Sequence, residues 1–397
     1  MKRFKIRPIG PFRGDWRRRK GPRAAAITAL CWIARLIVHP RPPGGRPLPS
    51  NPQLSVVVIK PIALGDVLRA TVFVMALRRG LPDARITFAV GDYAHAAVVN
   101  NPDIDEILPM GSLGTPRRYD AAAYVSFVRS LRERSFDAAF VLDRSPAMAL
   151  LPFFARIPYR IGLDSQLRGF AHTTRVRIDT NANEIEMYRR LAAAANVEPS
   201  GADCTFRPTE DDYEIARRLI EEFELYAGSR HIVIAPGGGI NPGAVDVTKR
   251  WPAERFASAA DQLVRTTDAR ISIVGTASDA TSIAAVRRAM VEDSANLEGR
   301  TNLGQLGAFI KKSDLVIGND SAIVQLALCV GTPCITVFTS TEPWIYGSDA
   351  PHAVSIFTGS PADGISDLPS VDSVIGSALR LLSGATTRGV PTQPDTA

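Results

Sequence analysis

Cysteine and histidine are scarce in this sequence. Its 397 residues include four cysteines and five histidines, and no two cysteines stand in a C-x-x-C pair. Because structural zinc sites draw their ligands from clustered cysteine and histidine side chains, the sequence predicts no metal site. A disulfide scaffold is implausible at this length, and so few cysteines fit a reducing cytoplasm.

A membrane-spanning run and a dinucleotide fingerprint are also missing. The apolar stretch at 24–38 covers about fifteen residues and is interrupted by Arg35, whereas a spanning helix needs about twenty. The turn at 60–66 lacks the G-x-G-x-x-G spacing that a bound dinucleotide requires. A nucleotide-sugar epimerase or dehydrogenase is therefore disfavoured, and the sequence predicts no cofactor.

The net charge of +7 is concentrated at the N-terminus. Ten basic residues stand among the first 23, against Asp15 alone, so the rest of the chain is slightly acidic. Nucleic-acid binding is not predicted, because basic and aromatic residues are not interleaved in the body of the chain.

Residues 1–38 have two interpretations. They form either a basic tail with a helix that docks on the body, or an anchor that lies in a membrane interface. The pairing of Trp32 with a polybasic flank favours the anchor, because basic residues attract anionic lipid. The apolar side chains that would enter the headgroup region are Ile27, Leu30, Trp32, Ile33, Leu36 and Ile37.

Two domains are expected from the length and from the order of buried strands and helices. Strand-like apolar runs alternate with helical segments on both sides of residues 180–208, which is typical of parallel, doubly wound sheets. Among them we predict a strand at 138–142 and a closing helix at 371–382. We therefore predict an α/β protein with two Rossmann-like domains, at 51–205 and 206–385. A basic tail, an amphipathic helix and a Pro/Gly linker precede them at 1–50, and a disordered tail follows at 386–397.

The candidate site residues of the first half follow its opening strand. Residues 56–59 form a run expected of a strand buried on both faces, and a short turn then leads to Gly65 and Asp66 at a helix start. Asp66 could serve only as an N-cap, worth roughly 1 kcal/mol. Alternatively it is a general base at the mouth of an interdomain cleft, where partial desolvation raises its basicity.

A glycine-rich loop follows the first predicted strand of the second half. Pro236, Gly237 and Gly238 begin this loop, in which the absence of side chains lets the backbone approach a ligand closely. Thr248 and Lys249 then supply a hydroxyl group and a positive charge suited to phosphate.

Two further strand ends complete the predicted site. Gly275 ends the next strand and forms a plausible edge of a nucleotide pocket. The turn at 318–321, with Asp320 and Ser321, joins a buried strand to an apolar helix. Free N–H groups and the positive dipole end at such a helix start favour a phosphorylated ligand.

In this order, the motifs resemble glycosyltransferase family 9, the heptosyltransferases of lipopolysaccharide synthesis. The similarity covers roughly residues 55 to 357. The blocks that carry it are Leu64-Gly65-Asp66, Pro82 to Thr87, Lys249-Arg250-Trp251-Pro252 and Gly318-Asn319-Asp320-Ser321.

The resemblance implies a GT-B fold and metal-independent, inverting transfer of a sugar, typically heptose from ADP-heptose. The acceptor would be a lipopolysaccharide or another cell-envelope glycan, which places the protein in the cytoplasm, peripheral on the inner membrane. Asp66 would deprotonate the acceptor hydroxyl, and Lys249 would offset charge on the departing diphosphate. The donor-binding residues that it suggests are Gly65, Pro236, Gly237, Gly238, Thr248, Gly275, Asp320, Ser321, Ala322 and Gln325.

The chain departs from the family after Ser321. Family members usually carry Gly and His where this sequence has Ala322 and Gln325. Ala322 adds a methyl group where the donor would approach, and Gln325 cannot carry a charge as His can. A transferase with a different donor sugar, or a nucleotide-sugar-binding protein with weakened catalysis, therefore stays an alternative.

Overall fold

The computed structural model describes residues 22–38, 48–49, 53–115, 120–178, 182–198, 204–227, 230–241, 244–358 and 368–384. The basic residues before position 22, most of the Pro/Gly linker and the predicted C-terminal tail lie outside these residues.

The first half is built on a six-stranded parallel sheet. Its strands are β1 (Ser55–Ile59), β2 (Arg85–Val90), β3 (Glu106–Pro109), β4 (Ala138–Val141), β5 (Tyr159–Asp164) and β6 (Thr174–Arg177). They lie side by side in the order β3-β2-β1-β4-β5-β6.

The second half repeats this arrangement. Its strands are β7 (Arg230–Ala235), β8 (Ile240–Asn241), β9 (Ala244–Val245), β10 (Ala269–Gly275), β11 (Ser294–Glu298), β12 (Leu315–Asn319), β13 (Cys334–Val337) and β14 (Ala353–Ile356). The short β8 and β9 pair with each other, and the other six form a parallel sheet in the order β11-β10-β7-β12-β13-β14. The two predicted Rossmann-like sheets are confirmed.

Helices connect the strands and cover the sheets. They are α1 (Pro22–Ile37), α2 (Leu64–Gly80), α3 (Ala121–Glu133), α4 (Pro146–Phe154), α5 (Glu184–Ala194), α6 (Glu210–Glu222), α7 (Ala253–Thr267), α8 (Ala280–Ala289), α9 (Leu303–Lys311), α10 (Ala322–Val330), α11 (Pro343–Tyr346) and α12 (Val371–Leu382).

Successive side chains of the central strands point to opposite faces of the sheet and pack in the apolar cluster on each face. In β1, Val56 and Val58 join one apolar cluster, whereas Val57 and Ile59 join the cluster on the opposite face. All four side chains are fully buried, as expected of a strand with helices on both sides. In both sheets the strand order reverses beside the first strand, so ligand-binding loops are expected after β1 and β7.

Helix α1 packs on the first half through one face. Cys31, Ala34 and Val38 contact an apolar cluster that includes Ala149 of α4 and Phe170. The helix therefore docks on the body through this face, and the two interpretations of residues 1–38 differ in what its opposite face contacts, which stays a prediction. In the described part of the chain, no helix is both long and apolar enough to cross a membrane.

One disulfide differs from the expectation of reduced cysteines. Cys204 and Cys329 are bonded to each other across a separation of 125 residues, whereas Cys31 and Cys334 are buried and do not belong to a disulfide. The sequence carries no spacing signal for this pair. The fold brings the two together because the segment before α6 runs along the end of α10, where Phe206 N donates to Cys329 O at 3.1 Å.

The first half contains a histidine that is buried in its neutral form. His172 is inaccessible to solvent, and neither ring nitrogen has a hydrogen-bond partner among the described residues. Burial, followed by the charges of Arg160 and Arg175, lowers the pKa of His172 to about 3. The pKa of histidine in an unfolded chain is about 6.5. Below that pH the unfolded chain therefore binds a proton at His172, whereas the native protein keeps His172 neutral until the pH approaches 3. This contribution to stability is present above pH 6.5 and is lost as the pH falls toward 3.

We expect His172→Phe to weaken the acid sensitivity of folding, because phenylalanine keeps the ring and removes the titrating group. Between about pH 8 and pH 5 the wild type should lose about 2 kcal/mol more stability than the variant. Thermal unfolding at both pH values measures the difference. The same substitution at His95 should retain the wild-type loss, and equal losses in wild type and His172→Phe would contradict the prediction.

Candidate active site

The two halves meet where α2 faces α10. A side chain at Gly65 would place its Cβ 3.4 Å from Gln325 Cγ and 3.6 Å from Ala322 Cα. The methyl group of Ala322 therefore lies beside Gly65 of the first half. This contact brings the loop after β1 next to the loop after β12, and both loops lie at the carboxyl ends of parallel strands.

Asp66 lies in the first turn of α2, but it is not the N-cap. Ala63 holds that position, so the interpretation of Asp66 as a capping residue is wrong. The Asp66 carboxylate lies 3.4 Å from Lys60 Nζ and 3.6 Å from Arg69 Nη1. Its side chain keeps 31% of its surface exposed, which leaves room for a reacting group.

The expected rise in the basicity of Asp66 is also wrong. Burial favours the neutral carboxyl group, but the charges of Lys60 and Arg69 outweigh burial and hold the pKa of Asp66 below its ordinary value. The turn between β1 and α2 is apolar in sequence, because Lys60 stands at the end of the strand and Arg69 comes one helical turn after Asp66. The fold brings both cations back to the Asp66 carboxylate. Asp66 is consequently ionised at neutral pH and able to accept a proton.

A buried charge network behind Asp66 was missed at the sequence level. Arg144 Nη2 lies 2.5 Å from Glu184 Oε1, and Glu184 is almost fully buried at the start of α5. Burial disfavours the charged form of Lys60, but Asp66 and Glu184 outweigh burial and raise its pKa. Arg144 follows the predicted strand at 138–142, so its position at a strand end was the available signal.

On the opposite side, Lys249 is paired with Asp320. Lys249 Nζ lies 2.9 Å from Asp320 Oδ2, and the Thr341 hydroxyl donates to the same oxygen at 2.9 Å. Asp320 is only 8% exposed, and a buried carboxylate needs a cationic partner, which the ammonium group of Lys249 provides. The neighbouring Thr248 donates its hydroxyl to Asp246 at 2.5 Å and lies exposed at the edge of the cleft.

The glycine-rich loop after β7 is shaped largely by its own packing. A side chain at Gly237 would overlap the carboxylate of Asp279, and one at Gly239 would overlap the backbone of Asp246. Gly238 N donates to Asp279 Oδ1 at 3.1 Å. The protein itself therefore fills the space that a side chain at Gly237 or Gly239 would need, so packing within the loop requires both glycines. Close approach of the loop backbone to a ligand stays a prediction.

Asn319 and Asp279 hold the loops of the second half together. The Asn319 amide group donates to the carbonyl oxygens of Pro236 and Gly237, each at 2.9 Å, and its oxygen accepts from Trp251 N. A side chain at Gly275 would lie 3.1 Å from Asp279 Cβ, so Gly275 borders the same pocket wall. The sequence did not predict that Asn319 and Asp279 join these loops.

Several buried donors beside Lys249 lack a hydrogen-bond partner among the described residues. They are Arg250 Nη2, Ser321 Oγ and Ser340 Oγ. Arg250 Nε donates to Gly238 O at 3.0 Å, and a side chain at Gly238 would lie 3.0 Å from Ser321 Cβ, so two of the three adjoin the same loop. Because buried polar groups normally find partners, this edge is suited to an oxygen-rich anion.

The ring of Tyr346 lies near a charged side chain of each half, Arg69 of the first and Lys249 of the second. Its ring centre lies 5.7 Å from Arg69 Cζ of the first half and 5.5 Å from Lys249 Nζ of the second. Cations at this distance from an aromatic ring are attracted to its face. Tyr346 was not predicted, because it lies beyond the last recognised loop.

A sequence model of glycosyltransferase family 9 (heptosyltransferase) matches residues 124–360, more than half of the chain. The chain belongs to glycosyltransferase family 9. It is 26% identical over 307 residues to lipopolysaccharide heptosyltransferase 2 of Salmonella typhimurium, with 73% of this chain and 84% of the relative covered. Lipooligosaccharide heptosyltransferase 2 of Haemophilus influenzae is also 26% identical, with the same coverage.

Solved structures of family 9 proteins have the same fold. A family 9 glycosyltransferase from Veillonella parvula superposes with a TM-score of 0.76 at 22% identity, over 86% of this chain and all of that one. The Escherichia coli ADP-heptose lps heptosyltransferase II gives a TM-score of 0.68 at 21% identity, over 83% of this chain and 99% of that one. The predicted GT-B fold and glycosyltransferase class are confirmed.

Proposed function

We propose that this family 9 glycosyltransferase moves a heptose from ADP-heptose to a lipopolysaccharide-type acceptor, with inversion at the anomeric carbon. The observation that carries the proposal is the placement of an ionised carboxylate, Asp66, on one half opposite Lys249 and a set of buried donors without hydrogen-bond partners on the other. The names of the relatives support the heptose and the acceptor class.

The two sides have complementary tasks in this reaction. Asp66 accepts the proton of the acceptor hydroxyl as that oxygen bonds to the anomeric carbon. The bond between that carbon and the diphosphate breaks, and its electron pair leaves with the diphosphate oxygen. Lys249, Arg250 and Ser321 are placed to stabilise this growing negative charge, and Asp320 orients Lys249 before the donor binds.

The departures at Ala322 and Gln325 motivate the alternative of another donor sugar or weakened catalysis. Both residues contact α2 of the first half, through Gly65 and Arg69, so the departures lie at the interface between the two halves. Turnover of ADP-heptose, GDP-sugars and UDP-sugars with purified protein tests the donor. We expect nucleotide release from ADP-heptose that depends on acceptor. Faster release from another donor would replace the sugar assignment, and binding without turnover of any donor would favour the weakened protein.

We also propose that α1 holds the enzyme on an anionic membrane surface. The face opposite to its packed residues exposes Leu30 by 64%, Trp32 by 55%, Ile33 by 49% and Leu36 by 57%. Exposed apolar side chains of this size on one helix face are typical of interfacial helices. The ten basic residues within the first 23 provide the matching attraction to anionic lipid.

Exchanging Trp32 and Leu36 together for serine should weaken binding to vesicles of anionic phospholipid by about tenfold or more, because two large apolar groups no longer leave water. Cosedimentation with vesicles measures the binding. Val125→Ser is a matched control, since Val125 is 58% exposed on α3. Unchanged binding of the double variant, or an equal loss in the control, would refute the anchor.

A further inference from the structure

Gln325 lies where α10 packs on the first half. Its side chain is 5% exposed, and its Oε1 accepts a hydrogen bond from Arg69 Nε at 2.9 Å. Arg69 is itself 3% exposed and lies one helical turn after Asp66 in α2. The bond joins residues 256 positions apart in the sequence. It is a buried, charge-assisted contact between the two halves.

Three groups hold the Arg69 guanidinium. Nε donates to Gln325 Oε1, Nη2 donates to the backbone oxygen of Tyr346 at 2.6 Å, and Nη1 lies 3.6 Å from Asp66 Oδ1. The two direct hydrogen bonds come from the second half, whereas the longer contact is to the carboxylate of the first half. The second half therefore fixes the position of a cation that faces Asp66.

We propose that Gln325 is a positioning residue that sets the basicity of Asp66 by orienting Arg69 across the interface between the two halves. The inference rests on the proposed role of Asp66 as general base and deepens it. It also gives the departure from the family a function: an amide oxygen accepts from Arg69 at every pH, whereas a histidine accepts only while it is unprotonated.

Other groups near Asp66 limit the size of the effect. Lys60, Arg69 and Arg144 are the cations that favour its ionised form, and the hydroxyl groups of Tyr188 and Tyr346 lie close enough to interact with it. Asp143 and Glu184 act on Lys60 from the other side. Since Lys60 stays in place when Gln325 is changed, loosening Arg69 removes only part of the positive field.

Gln325→Met tests the proposal, because methionine has a similar length and lacks the acceptor. A cation held less firmly stabilises the carboxylate less, so the acidic limb of the kcat/KM profile should move to higher pH by about half a unit to one unit. The KM for the donor should change less than about twofold. Gln262→Met is the matched control, because the side chain of Gln262 bonds only to Ser258 within α7 among the contacts of the described residues.

Two more variants separate this inference from a folding defect and from the proposed function. Arg69→Lys keeps the charge but not the planar donor geometry, and it should reproduce the shift. Gln325→His should match the wild type above about pH 8 and lose rate below about pH 6.5. Wild-type profiles for Gln325→Met and Arg69→Lys, with native unfolding temperatures, would overturn the inference while leaving Asp66 as the base. Full activity of Asp66→Asn would overturn the proposed function itself.

Discussion

Replacing Asp66 with asparagine should slow sugar transfer by about 10²–10⁴-fold while ADP binding changes less than about twofold. The amide group has nearly the same shape but cannot accept the proton of the acceptor hydroxyl. Asp66 belongs to the first half, and the proposed diphosphate site belongs to the second, so the loss should fall on kcat. Steady-state kinetics and calorimetric titration with ADP measure the two quantities separately.

Asparagine at position 66 also leaves Lys60 and Arg69, both buried, without their carboxylate partner. Thermal unfolding must therefore accompany the kinetics. Asp92→Asn is a suitable control, since Asp92 is an exposed carboxylate just beyond the end of the neighbouring strand β2. A folded Asp66→Asn protein that transfers sugar at the wild-type rate would remove the general base from the account.

Lys249→Met should lower kcat/KM for the donor by about 10²–10³-fold, because a positive charge no longer meets the leaving diphosphate. The same change removes the ionic partner of the buried Asp320, so the variant should also be less stable. The loss of rate and the loss of stability therefore have different causes, although only one side chain is changed.

A double variant separates these causes. Adding Asp320→Asn to Lys249→Met removes the unpaired buried charge and should restore much of the unfolding temperature, but not the rate. Lys312→Met is the control, because Lys312 is the C-cap of α9 and its ammonium group lies 6.0 Å from the Tyr213 ring. Recovery of transfer in the double variant would show that Lys249 acts on stability alone.

The order of strands and helices was predictable wherever buried apolar runs mark the core. The helix predicted at 371–382 has the same limits in the structure, and β1, β7 and β12 lie where uninterrupted apolar runs indicated them. The edge strands β6 and β11 were not predicted. Their residues are partly exposed and polar, so they lack the apolar run that identifies a central strand.

The positions of the site residues at strand ends could be predicted from the sequence, but the charges that surround them in the fold could not. Asp66 and Lys249 were recognisable from local motifs, because strand-end loops of parallel sheets collect functional groups. The lowered pKa of Asp66 depends on Lys60 and on the Arg69 guanidinium group, which Gln325 and Tyr346 position from the other half. No local pattern encodes a contact over that distance.

The stereochemistry and stoichiometry of one reaction test the central claim most directly. Wild-type protein is incubated with ADP-heptose and a lipopolysaccharide core acceptor that ends before its heptose, and the product is analysed by NMR and mass spectrometry. The account predicts one heptosylated acceptor for each ADP released, with the anomeric configuration opposite to that of the donor. A product with retained configuration, or ADP release without a modified acceptor, would contradict it.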